Sequence, residues 1–153
     1  MSLYKQLRSS KQKKDIERGK AMLWNDNYKV GNELVDNDHK EIFGMVDRLL
    51  EDDFEGRPDK IKTVVDFLVS YVARHFSNEE KLMEESGYRR MPEHVKQHRD
   101  FVNKVGAFVE KIEGDLDNIN LSMQVNEVIV DWLAEHVMIS DKAMIDHYKK
   151  WSG

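Results

Sequence analysis

The chain has 153 residues, enough for one domain with a real core and short for two. It has no cysteine, which excludes disulfides, thiolate metal sites and cysteine nucleophiles, so any metal must be held by imidazole and carboxylate. The net charge of -5 is unevenly spread: residues 1–20 carry seven Lys/Arg against Asp15 and Glu17, so the remainder is strongly acidic and a poor partner for nucleic acid.

Residues 1–21 read as a charged arm, or as the stub of a linker to another module, preceding a bundle over 22–153. No apolar run reaches the roughly 20 residues that a membrane-spanning helix needs, and the basic start lacks the apolar core of a signal peptide. No membrane insertion and a cytoplasmic location are the expectations. Met22 to Asp36 is too irregular for a long helix, with Trp24, Tyr28, Gly31 and scattered Asn and Asp, and Trp24 is its expected anchor.

Asp36-Asn37-Asp38 offers caps for a first helix with an apolar face of Ile42, Phe43, Val46, Leu49 and Leu50. Gly56-Arg57-Pro58 ends it, and Asp59 is placed to cap the next. In that second helix Ile61, Val64, Val65, Leu68, Val72, His75, Glu79, Leu82 and Met83 recur at steps of three and four. After a break at Gly87 and Pro92, His94, Val95, His98, Phe101, Val102, Val105, Phe108, Val109 and Ile112 repeat the pattern. A turn around Gly114-Asp115 leads to the last helix, with Leu121, Val125, Val128, Ile129, Trp132, Leu133, His136, Ala143 and Met144. Short polar turns between four amphipathic helices predict an all-α, antiparallel up-down-up-down four-helix bundle.

Five of the six histidines fall on or beside these apolar stripes: His39, His75, His94, His98 and His136, accompanied by Glu79 and Asp141. Unpaired imidazoles and carboxylates are costly to bury, so something must compensate them. A step of four places two side chains one turn apart on one face, which suits His75 with Glu79 and His94 with His98 as ligands of one centre. A step of five, from His136 to Asp141, points both inward only if the helix widens, which predicts a π-bulge there. The ligand types suit iron, manganese or zinc, and mutual His–Glu ion pairing in a metal-free core is the competing account.

These residues sit in four segments that resemble the motifs of the hemerythrin family, in its bacterial type, over about residues 22–150. The first has Trp24, Val30-Gly31, Val35-Asp36 and His39, and the second has His75-Phe76, Glu79-Glu80 and Met83. Tyr88, His94, His98 and Phe101 match the third, and Trp132-Leu133, His136 and Asp141 the fourth. The resemblance implies two non-haem iron ions. His94, His98 and His136 bind one, His39 and His75 bind the other, and Glu79, Asp141 and an oxo or hydroxo group bridge them. The first iron then has six ligands and the second five, leaving one position for dioxygen.

The family's oxygen pocket maps onto Phe76, Trp132, Leu133 and Val137, with Phe101 nearby. Acceptors for the outer ring nitrogens are backbone carbonyls or Asp131 and Glu135. The chain departs from the family at Asp38, where Gln is usual, and at Arg89, where Pro is frequent, with Pro92 displaced. His147 matches no ligand position and is expected near the end or surface of the bundle.

Reversible dioxygen binding for carriage, storage or sensing is the function implied, by a binding protein rather than an enzyme. The alternatives are a di-iron oxidoreductase such as a ferroxidase or peroxidase, served by an electron donor, and an oxygen- or redox-sensing domain acting on a signalling partner. Carboxylate-rich Glu-x-x-His sites are more usual for such oxidases, whereas imidazoles here outnumber carboxylates five to two.

Overall fold

The computed structural model describes residues 24–51, 58–115, 124 and 126–153. The arm at 1–21, the turn at Gly56-Arg57, and Leu121 and Val125 of the last expected helix lie outside the described residues, as does the side chain of Leu50. Four helical segments account for almost everything described, and no strand occurs among these residues. The first three are α1 (Glu33–Glu51), α2 (Pro58–Ser86) and α3 (Met91–Asp115). The fourth, α4, runs from Asn126 to Ser152 through the π-helical stretches Asn126–Val130 and His136–Asp141, separated by Asp131–Glu135 and followed by Lys142–Ser152.

The apolar stripes close on one core. Ile61, Val65, Leu68 and Val72 of α2 are buried, and so are His75, Glu79 and Met83 further along the same stripe. Facing them are Ile42, Phe43, Val46 and Leu49 of α1, Phe101, Val105, Phe108 and Ile112 of α3, and Ile129, Leu133 and Met144 of α4. Val102 falls at the edge of its stripe and is 38% exposed, against the sequence expectation.

Helix α2 stops at a Schellman motif: Gly87 takes φ +63°, Gly87 N–H donates to the Glu84 carbonyl (3.2 Å) and Tyr88 N–H to that of Met83 (2.9 Å). Pro92 lies in the first turn of α3, where a missing N–H costs nothing. Cross-helix contacts run in opposite order. Lys62 of α2 meets Glu113 of α3 (3.1 Å) while Glu80 meets His98, and Gln97 of α3 meets Ser140 while Phe101 meets Trp132. Helices α2 and α3 are therefore antiparallel, as are α3 and α4.

The first helix starts earlier than its sequence implied. Asn32 accepts the Val35 N–H (3.1 Å) as its cap, and Glu33 opens the helix. Asp36 instead fastens the entering chain, its carboxylate accepting the N–H groups of Val30 (2.7 Å) and Gly31 (3.3 Å). That chain makes a 3₁₀ turn at Asp26–Tyr28, and Tyr28 and Val30 anchor it, both buried, whereas Trp24 is only half-buried beneath Lys40. Gly31 takes φ +91° against the Lys149 side chain. Asp59 lies inside the first turn of α2, where its charge favours the helix dipole. Gly114-Asp115 is still helical, so the turn expected there is not at these residues.

Asp36→Ala leaves two backbone N–H groups without their charged acceptor and should destabilise the fold by about 1–3 kcal/mol. Urea unfolding should show a lower midpoint at unchanged slope.

Candidate metal centre

Each helix delivers its polar residues to one place midway along the bundle. His39 comes from α1, His75 and Glu79 from α2, His94 and His98 from α3, and His136 and Asp141 from α4. All seven are at most 5% exposed. The widened turn expected between the last two is present as the π-helix His136–Asp141, which brings His136 Nε2 to 3.0 Å from Asp141 Oδ1. A second π-helical stretch, at Asn126–Val130, is signalled by no spacing of polar residues along the chain.

Contacts across the site are close on every side. Glu79 lies 2.7 Å from His75 Nε2, 3.1 Å from His98 Nε2, 3.4 Å from His94 Nε2 and 3.6 Å from His39 Nε2. Asp141 lies 3.0 Å from the Nε2 atoms of His39 and His94. These approaches are ill-aligned for hydrogen bonding. The Nε2 atoms of His39, His94, His98 and His136, both Glu79 oxygens and Asp141 Oδ1 are buried without a hydrogen-bond partner.

Buried polar atoms left this way would cost several kcal/mol together. They converge on shared points, as lone pairs do around a cation. One ligand atom each from Glu79, His94, His98, His136 and Asp141 lie within 4.8 Å of one another, and so do those of His39, His75, Glu79 and Asp141. Both carboxylates belong to both groups.

Electrostatics in the metal-free protein follow from the same crowding. Burial disfavours the imidazolium of His75, yet the Glu79 charge and the Asp38 hydrogen bond outweigh it and raise its pKa to about 10. Burial likewise opposes charge on His94, but Asp141 and Glu79 raise it to about 9. His39 is shifted upward by Asp141 and Glu79 against its burial. His136 goes the other way, because burial prevails over the attraction of Asp141. Glu79 is pushed up by burial but held well below the usual carboxylate range by His75 and His39, and burial and Glu79 are overcome at Asp141 by His136 and His39.

Outer ring nitrogens are held by residues adjoining the ligands in sequence. His75 Nδ1 meets Asp38 Oδ2 (2.9 Å), His98 Nδ1 meets Glu80 Oε1 (3.1 Å) and His136 Nδ1 meets Gln97 Oε1 (2.8 Å). The sequence offered backbone carbonyls, Asp131 or Glu135 for this role, whereas these three nitrogens meet Asp38, Glu80 and Gln97. Asp38, noted in the sequence as a departure, precedes His39 but serves His75; Gln97 precedes His98 but serves His136. Their signal was adjacency to a ligand, although the helix facing each could not be read from it.

Aromatic rings shield one flank. Phe76 stacks on His98 (3.7 Å, 4°), and Trp132 stacks on His136 (4.4 Å, 12°) and on Phe101 (4.3 Å, 30°). Leu133 and Val137 are buried in the core. His147 lies half-buried at the end of α2, with Nε2 2.9 Å from the Ser86 carbonyl and its ring against Tyr88, away from the cluster as expected.

A helical bundle with buried imidazoles and carboxylates converging from every helix defines a metal-binding four-helix bundle. Residues 30–148 match the family described as the hemerythrin HHE cation binding domain, and the chain belongs to the hemerythrin family. It is 30% identical to a bacteriohemerythrin of Clostridium acetobutylicum over 128 residues, covering 81% of this chain and 98% of the relative. It is also 30% identical over 120 residues to a myohemerythrin of Sipunculus nudus, covering 78% of this chain and 87% of that protein. The family implies iron as the metal. No helix among the described residues is long and apolar enough to cross a membrane.

A ligating imidazole must be neutral, while His75 and His94 carry protons up to about pH 10 and 9 in the metal-free state. Metal uptake at pH 7 should therefore release protons, visible with an indicator dye in weak buffer, and affinity should rise with pH until those imidazoles have titrated. Metal at about 100 times its Kd should also stabilise the fold by about 2.7 kcal/mol, raising Tm, and a chelator should reverse the gain.

Proposed function

We propose that this protein binds dioxygen reversibly at a non-haem di-iron centre, and that it is a binding protein rather than a catalyst. The observation that carries the reading is the unequal division of the seven ligand residues into a group of five and a group of four that share Glu79 and Asp141. In this reading His94, His98 and His136 would hold one iron and His39 and His75 the other, with Glu79, Asp141 and an oxo or hydroxo group shared between them. Six-coordinate ions would then be filled at the three-histidine end and one ligand short at the two-histidine end. Bacteriohemerythrin and myohemerythrin relatives support the assignment.

Iron held there would supply the electrons that dioxygen takes up on binding and returns on release. What the chain contributes is geometry and dryness. Packing of the four helices and the stacked rings sets the positions of the imidazoles, which limits the ordering cost of holding a metal. Glu79 and Asp141 are fully buried and place negative charge between the two cations. Phe76, Trp132, Leu133 and Val137 are assigned to the apolar wall that keeps water from the open position. Phe76 and Trp132 do this while packed on His98 and His136, so that ligand orientation and exclusion of water rest on the same rings.

Anaerobic reduction followed by air should produce a charge-transfer band that disappears when oxygen is removed and returns on re-exposure. A single bleaching without recovery would sink the binding reading in favour of turnover. His75→Ala should reduce iron from two equivalents towards one and abolish the oxygen-dependent band, with helix content by circular dichroism largely kept. Undiminished oxygen uptake in that variant would refute the two-histidine assignment.

A further inference from the structure

We propose that Asp38, itself held by Tyr71, is a positioning residue that orients His75 and strengthens it as a ligand, so that one carboxylate sets the donor strength of the two-histidine end. The inference rests on the two-metal reading above. Asp38 lies on α1 next to His39, and its carboxylate reaches across to α2. Oδ2 accepts from His75 Nδ1 at 2.9 Å and Oδ1 accepts from the Tyr71 hydroxyl at 3.3 Å. With Nδ1–H committed to Asp38, Nε2, which faces Glu79 at 2.7 Å, is the nitrogen whose lone pair would be given to a metal.

The two ends of the centre are supported differently. At the three-histidine end, His136 donates to a neutral amide, Gln97 Oε1, which also takes the Ser140 hydroxyl at 2.7 Å, and His98 donates to Glu80, whose side chain is 35% exposed. At the two-histidine end, His39 Nδ1 is buried without a hydrogen-bond partner. Asp38, at 16% exposure, is better shielded from water than Glu80. Hydrogen-bond control of the end that would carry the open position therefore passes through this one carboxylate.

A charged acceptor draws the Nδ1 proton and raises electron density at Nε2, which tightens metal binding and favours the more highly charged ion. The Tyr71 hydroxyl takes up part of the carboxylate's charge and fixes its rotamer, with Arg74 packed 4.7 Å from the Tyr71 ring centre. Tyr71 and Asp38 thus act in opposite senses on His75: removing the hydroxyl strengthens the pull on Nδ1–H, and removing the charge weakens it.

The test begins with Zn(II), which has no redox chemistry, titrated into the metal-free full-length chain against a competing chelator. Wild type should bind in two steps, one of which disappears in His75→Ala. Asp38→Ala should weaken that same step by about 10–100-fold and leave the other unchanged. In the iron-loaded protein, Asp38→Asn keeps an acceptor oxygen but loses the charge, and should raise the reduction potential of one ion. Tyr71→Phe should lower it. Gln97→Glu supplies charge behind His136 and should lower the potential of the other ion.

Two wild-type steps that Asp38→Ala leaves unaltered would overturn this inference alone, as would a loss in both steps together with a lower Tm, which marks a merely structural role. Uptake of a single ion by wild type would instead overturn the two-metal reading and this inference with it.

Discussion

Two carboxylates and five imidazoles buried in the middle of an apolar bundle are the constraint on which the rest of this structure depends. Hydrocarbon surroundings tolerate charge only when it is matched, and the unaligned approaches among these side chains do not match it by hydrogen bonding. In the metal-free protein, imidazolium at His75 and His94 offsets the charge of Glu79 and Asp141. A cation does so with better geometry, because the orphaned Nε2 and carboxylate atoms of the cluster already converge on the centre. Metal binding and folding are coupled for this reason.

Helical architecture meets that constraint through spacing. Steps of four deliver His75 with Glu79 and His94 with His98 without cost to the helix, whereas His136 and Asp141 require α4 to widen into a π-turn. The widening is local and lies among ligand side chains, which is where such distortions most often serve a site. Packing of neighbouring helices then lets a residue beside one ligand reach the ligand of the next helix, so that Asp38, Glu80 and Gln97 hold rings to which they are not adjacent in sequence. The support shell and the bundle interface are the same set of contacts.

Asymmetry is the functional consequence. Five ligand atoms gather at one end and four at the other, the aromatic stacks cover His98 and His136, and the outer nitrogens receive acceptors of different charge. The two ends of the cluster are thus unlike in ligand number, in shielding and in the charge of their outer acceptors, an asymmetry that the proposed uptake of a small ligand at one end would use.

Much of this was legible in the chain. Helical periodicity placed the stripes of α2 and α3, the absence of cysteine restricted the ligands, and the step from His136 to Asp141 demanded a widened turn, because such features depend on local geometry that the sequence repeats directly. Caps were harder: Asp36 looked like a helix start, yet it fastens Val30 and Gly31 while Asn32 caps the helix, since several short polar residues compete for the same backbone donors. The anchoring of the entering chain by Tyr28 and Val30 as well as Trp24, the exposure of Val102 and the π-turn at Asn126–Val130 were decided by packing. So were the partners of the outer ring nitrogens, because a side chain's neighbour on another helix is fixed by the register between helices, which no single segment of sequence contains.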